Sequence, residues 1–508
     1  MKAFQYRVLA AATIVSALPA FAQNPAPAPA ATTDAAAQCE IDQNKPQQVA
    51  RATLSITKAN AAMKGGDPTK DLKDVVSTLN DPKLKNENPV GRAFLLASAY
   101  VMLLEQPNVD AIMPRSAIGI PSADPAATID LFAAADSAIT IVENSSAACA
   151  AYMAPFRQQK AWLNVTNAAI NALNANKLDS AEIYARRSLT LERKSPYAYT
   201  VLASVAKQKK NFPAMIEYSK QVITTAGEDT TYADVKRRAQ YELATTLTER
   251  VKTATGADKK ALAKEAIAAW TPMTFSDDMV EGTVAVRTLQ EMYIAAGDST
   301  QIGKIYAGMI ADPAKYGEGA LLQAGVVASQ FKRPDDAALL FEAVVKKNPY
   351  SRDALNNIAA SLLQANENDK AGPYIAKLIE LDPSNPDNYM LYAFQYAGKL
   401  KGKVDAKTQK LYNDSLVYWN NKSEKLPVKI GFTEFSRNSE GTTLAGEIEN
   451  RGTTPKTYNL AVEFLAADGT VLFTETATVG PVAPKAKKEF RIHNAKTGVA
   501  GYRYKPLI

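Results

Sequence analysis

"DALNNIAASLLQANENDKAGPYIAKLIELDPSN", residues 353–385, decides the fold. Its apolar residues recur at helical spacing in two runs separated by Asn366-Glu367-Asn368, and the second run stops at Asp382-Pro383. Proline lacks the N–H that the next helical turn needs and pushes its predecessor out of the α region, so a helix ends there. With Arg352 as position 1, Leu355, Ile358, Ala359 and Leu362 occupy positions 4, 7, 8 and 11. Ala371, Ile375 and Leu378 follow at 20, 24 and 27, and Pro383 at 32. A step back of 34 residues, to Glu318, places Leu321, Ala324, Gly325 and Ala328 in the first set and Ala337, Phe341, Val344 and Pro349 in the second. Trp162 and Pro196 open two more units of the same length. Ala169 and Ala181 take positions 8 and 20 in one, Ala203 and the larger Met215 in the other. Small residues at these positions let two helices approach where they cross, and the larger apolar ones fill the space around the crossing.

A 34-residue unit with small residues at 8 and 20 resembles the tetratricopeptide repeat family. The resemblance implies a mainly α fold, a right-handed α-solenoid of antiparallel helix pairs over residues 44–426. Two units are blurred. Gln290 stands at position 8 of the unit that starts at Thr283, and "TATGADKK" interrupts the one near Arg237. Residues 90–143 read as helices "GRAFLLASAYVMLLE" and "ATIDLFAAADSAITIVEN" around a long loop, and 44–82 as a degenerate first hairpin. Residues 386–425 begin as a repeat and end in a longer helix. After Pro427 the apolar period falls from 3.6 to 2, in "VKIGFTEFS", "TLAGEIEN", "TYNLAVEFLA" and "TVLFTETATV", with turns at Asn450-Arg451-Gly452 and Asp468-Gly469. Residues 427–508 thus read as a small all-β, immunoglobulin-like sandwich. "GEIENRG" (446–452), Val462, Phe464, Asp468-Gly469 and Phe490 resemble the FxLYD family, although the Tyr-Asp pair expected after Phe464 is absent. That family carries no catalytic site.

The amino end has the form of a secretory signal: Lys2 and Arg7, an apolar stretch over 8–18, then Ala20-Phe21-Ala22. Cleavage is expected after Ala22, followed by a Pro/Ala-rich disordered leader over 23–43. No later run is long and apolar enough to span a bilayer, so a soluble periplasmic or secreted bacterial protein is expected. The two cysteines, Cys39 and Cys149, then read as one disulfide, with two separately buried thiols as the alternative. A net charge of +7 over 508 residues is a weak field. The clusters Lys207/Lys209/Lys210, Lys236/Arg237/Arg238 and Lys485/Lys487/Lys488 read as solvated surface, with no nucleic-acid partner.

Catalytic signatures are missing. His493, the single histidine, falls in the strand "EFRIHNA", and one His with two Cys cannot assemble the usual zinc set. No glycine-rich phosphate loop or nucleophile elbow follows a predicted strand. "DPSNPDN" (382–388) lacks the spacing and closing Glu of a calcium loop. No enzyme activity, cofactor or metal is expected. The repeat resemblance implies a ligand in the concave groove at helix-A positions 2, 5, 9, 12 and 13. These are Tyr197, Thr200, Ser204, Lys207 and Gln208 in the unit at Pro196; Arg287 and Glu291; Asn356 and Ala360; Met390 and Phe394. The expected role is a non-enzymatic scaffold for a protein or extended peptide, with an envelope component as a second partner for the C-terminal module. The competing reading is an accessory or hydrolytic protein that acts on a cell-envelope polymer through carboxylates of the groove or of the 107–124 insertion.

Overall fold

The computed structural model describes residues 38–84, 86–438 and 440–507. The expected signal sequence and most of the leader lie outside them. The chain divides into two compact units between Thr246 and Leu247.

In the first unit, Gln47–Ala62 (α1) pairs with Thr69–Leu79 (α2), and Pro89–Leu104 (α3) with Leu131–Glu143 (α4). After the short helix Ala147–Arg157 (α5), Lys160–Asn174 (α6) pairs with Leu178–Leu191 (α7), and Pro196–Gln208 (α8) with Phe212–Ala226 (α9). Ala233–Thr253 (α10) runs across the division. The loop between α3 and α4 has structure of its own. Ile112–Pro114 (β1) pairs antiparallel with Thr128–Asp130 (β2), and Ile118 and Ile120 are buried. The expected helix beginning "ATID" is therefore corrected: α4 starts at Leu131 because the Asp130 carboxylate accepts from the N–H groups of Phe132 and Ala133. Cys39 and Cys149 form a disulfide with Cα atoms 4.6 Å apart, tying the chain before α1 to the first turn of α5. Arg157, at the end of α5, is buried. Its Nε and Nη2 donate to Glu143 at 2.7 Å, and its Nη1 donates to Asp136 and to the Leu191 carbonyl at 2.8 Å. A buried cation persists only with such a full set of acceptors.

In the second unit follow Gly256–Trp270 (α11), Met279–Ala296 (α12), Ile302–Ala311 (α13), Glu318–Gln330 (α14), Pro334–Lys347 (α15), Arg352–Gln364 (α16), Asn368–Leu381 (α17), Pro386–Lys399 (α18) and Ala406–Glu424 (α19). Helices α14, α16 and α18 begin at the position-1 residues of three consecutive 34-residue units. At the α14–α15 crossing the reason for a small residue at position 8 is direct. A Cβ on Gly325 would lie 2.5 Å from the ring of Phe341, the buried residue at position 24. Ala337, Ala359 and Ala371 are likewise buried. Where the frame is broken, the packing changes: α12, with Gln290 at position 8, packs mainly on α11 and α14 and makes little contact with α13.

A further regularity recurs at position 15. Asn176, Lys210, Gly297, Lys332 and Asn366 all have φ between 57° and 79°, in the left-handed region. In each case the N–H of the next residue bonds back to the carbonyl at position 11: Lys177 to Ala172, Asn211 to Ala206, Asp298 to Tyr293, Arg333 to Ala328 and Glu367 to Leu362, at 2.8–3.0 Å. This six-to-one bond closes helix A and turns the chain into helix B.

Six further strands form two antiparallel sheets: Val428–Asn438 (β3), Gly441–Asn450 (β4), Lys456–Leu465 (β5), Val471–Val482 (β6), Lys487–Asn494 (β7) and Gly501–Tyr504 (β8). The orders are β3-β4-β7 and β6-β5-β8. Ile430, Leu444, Ile448 and Ile492 of one sheet and Leu460, Val462, Phe464 and Tyr502 of the other share a core, which the alternation of the strands produces. The sheets do not stand apart from the helices. Strand β3 crosses the first residues of three helices, with Lys429 near Asp387 of α18, Phe432 near Arg352 of α16 and Arg437 near Glu318 of α14. Strand β8 follows the turns between repeats. Asn348 donates to the Ala500 carbonyl at 3.0 Å, Arg352 to the Tyr502 carbonyl at 2.7 Å, and the Ser384 N–H to the Tyr504 hydroxyl at 3.1 Å.

Candidate interaction surface

Positions 4, 7, 8 and 11 of each helix A point into the core, so positions 5 and 9, one turn apart, share its outward face. In the second unit α12 packs beside α14, α14 touches α16, and α16 touches α18. The outward positions therefore form a row. Arg287, Glu291 and Ile294 on α12 are exposed. Leu322 and Val326 on α14 are half-buried, each packed in part against the core of this unit. On α16, Asn356 and Leu363 are half-buried and Ala360 is exposed. On α18, Met390 is half-buried, while 56% of Phe394 is open to solvent. The strip thus runs from a charged end, over aliphatic side chains and an amide, to an exposed aromatic ring. Its N-terminal edge is bounded by β3, where Lys429 and Asp387 pair at 3.2 Å.

Five of the expected residues fall elsewhere. Tyr197, Thr200, Ser204, Lys207 and Gln208 lie on α8 in the first unit. There Tyr197 is half-buried edge-on against Tyr232, with ring centroids 5.5 Å apart, and burial raises its pKa. Lys207 pairs with Glu242 on α10, and the Thr200 hydroxyl donates to the Pro196 carbonyl within its own helix. In this unit, then, positions 2 and 12 serve packing against the following segment. Leu322, Val326, Ile294 and Leu363 belong to the row although sequence reasoning did not single them out. The same frame positions mark them, but aliphatic residues carry no signature that separates a contact surface from a core.

The remaining candidates are accounted for locally. Lys209 bridges Asp179 and Glu182 at 2.8 and 3.0 Å, and Lys487 pairs with Glu447, so much of the basic clusters' charge is balanced in place. The Nδ1 of the exposed His493 lies 2.9 Å from the hydroxyl of the buried Thr443, its register partner in the β4–β7 ladder. Among the described residues no group of His, Cys, Asp and Glu is placed to hold a metal ion. None of the described helices is long and apolar enough to cross a membrane.

Residues 322–386 match the tetratricopeptide repeat family model. The match runs from Leu322 within α14 to the first residue of α18, where the frame is cleanest. No curated protein matches the chain. Among solved structures, one of PilF from Pseudomonas aeruginosa is similar at 15% identity, over 53% of this chain and 93% of that one. Its TM-score is 0.20, a superposition too loose to carry a fold argument.

Proposed function

We propose that the protein is an exported, non-enzymatic scaffold that holds an extended segment of a partner protein along the helix-A row of its second unit. The observation that carries this reading is the make-up of the row, with Leu322, Val326, Asn356, Met390 and Phe394 on neighbouring helices. An extended peptide needs hydrogen-bonding groups for its backbone and apolar footholds for its side chains, and a rigid array lowers the entropic cost of holding it. The tetratricopeptide match over residues 322–386, which takes in Leu322, Val326 and Asn356 of the row, supports the assignment. The secretory pattern at residues 1–22 and the Cys39–Cys149 disulfide support a periplasmic or secreted location.

The test is a displayed library of random peptides panned on the wild-type protein and on Asn356→Ala/Phe394→Ala. Peptides enriched by the wild type and bound about tenfold more weakly by the variant, a difference of about 1.4 kcal/mol, support the reading. Peptides held equally by both proteins contradict it. Turnover of an envelope polymer by the purified protein, undiminished in the variant, would favour the hydrolytic alternative.

A further inference from the structure

The elbow between α18 and α19 concentrates positive charge, with four lysines against one carboxylate over residues 401–410. Lys401, Lys403, Lys407 and Lys410 lie within ten residues, all exposed. Among the described residues none of the four makes an ion pair, whereas Lys399 is held by Asp369 at 2.6 Å and lies over the rings of Tyr396 and Tyr412. The acid inside the stretch, Asp405, caps α19, accepting from the N–H groups of Lys407 and Thr408 and from the Thr408 hydroxyl; its carboxylate keeps its charge and leaves a positive excess over residues 401–410. Asp414, one turn beyond Lys410, is exposed. Apolar side chains stand among the lysines. Val404, next to Lys403, and Leu411, next to Lys410, are 36% and 60% exposed.

We infer that this elbow docks the protein on an anionic lipid bilayer. The charge calls for an anionic partner, and its presentation favours a surface over a protein. Every residue from 401 to 407 is exposed, so no wall surrounds the charges to orient a single carboxylate. The cations are all lysines, compact hydrated point charges that suit a diffuse field of headgroups. The planar fork of arginine is the group that reads an individual carboxylate. Clusters of four or more basic residues beside apolar ones attract anionic headgroups additively, with a reach limited by salt. Val404 and Leu411 would enter the headgroup layer as the lysines settle on it.

The test is co-sedimentation of the full-length protein with vesicles of phosphatidylcholine, with and without phosphatidylglycerol, at low and high salt. Two variants of equal charge change are compared, Lys403→Glu/Lys407→Glu at the elbow and Lys264→Glu/Lys488→Glu away from it, each checked for an unchanged thermal midpoint. The expected result is binding to the phosphatidylglycerol vesicles alone, weakened by salt, reduced at least about tenfold in the elbow variant and kept in the other. Absence of binding to those vesicles overturns the inference, as does equal loss in both variants. Tighter binding to polyglutamate than to the vesicles also overturns it and assigns the elbow to an acidic protein.

Discussion

Arg352 sits over the ring of Tyr502, its guanidinium carbon 3.6 Å from the ring centroid. One nitrogen of the same group donates to two carbonyls at 2.7 Å, that of Leu381 in the helices and that of Tyr502 in the sheet. A single residue at position 1 of a repeat thereby joins the turn after α17 to strand β8. Beside it Tyr350 packs so closely on Gly501 that a Cβ there would collide with it, and Tyr504 hydrogen-bonds Asp382. The sheets act as a strut across three consecutive repeats, which holds the helices of the proposed strip in fixed register.

Arg352→Lys is expected to loosen that strut although it keeps the charge. Lysine cannot stack on the ring and reach both carbonyls, and a charge-assisted hydrogen bond together with a cation–π contact contributes roughly 2 to 3 kcal/mol. Urea unfolding followed separately by tryptophan fluorescence and far-ultraviolet circular dichroism should show a lower midpoint in the variant. A midpoint equal to that of the wild type would mean that the strut is not stabilised by this residue.

Gly325→Ala sets helix propensity against packing. Propensity alone favours alanine by about 1 kcal/mol. The added methyl would meet the ring of Phe341, a buried side chain that would have to shift, and overpacking of this kind costs about 1 to 3 kcal/mol. Packing should win, and the thermal midpoint should fall. Phe341→Leu in the same chain should recover part of the loss, a coupling that a double-mutant cycle measures. Ala359→Arg and Ala371→Arg, at the equivalent crossing one repeat on, should each cost more than about 3 kcal/mol.

Lys210→Gly and Lys332→Gly should stabilise the protein by about 1 kcal/mol each, because both lysines hold a left-handed backbone that glycine adopts without steric penalty. Calorimetric midpoints would reveal it. A fall in both variants would show that these side chains contribute more than their backbone conformation costs.

Alkaline pH should weaken the second unit. Burial raises the pKa values of Tyr502 and Tyr504 above the ordinary tyrosine value near 10. The folded state thus keeps protons that the unfolded state releases. The stabilisation is complete below pH of about 10 and declines as pH rises from there toward the folded values. No hydroxyl bond of Tyr502 is part of the strut, so Tyr502→Phe should leave neutral-pH stability nearly unchanged and flatten the alkaline decline. Urea midpoints at neutral pH and in steps above pH of about 9 would show both effects.

What could be read from the chain alone was whatever depends on neighbours within one hairpin. The spacing of Ala359, Ala371 and Pro383, and its echo at Gly325, Ala337 and Pro349, specifies where helices cross and stop, because those events are set by local sterics. The change from period 3.6 to period 2 after Pro427 marks the strands for the same reason. Position 15 was legible only in part, since Asn176, Gly297 and Asn366 are residue types that favour a left-handed turn while Lys210 and Lys332 carry no such mark. The six-to-one hydrogen bond imposes that conformation once helix A has formed. Nor could the sequence show that Tyr197 and Lys207 are taken up by Tyr232 and Glu242, or that Leu322 and Val326 belong to an outward row. Least of all could it show Arg352 against Tyr502, partners separated by 150 residues. A contact at that separation rests on how completed elements meet, and only the tertiary structure decides which faces remain open once they have met.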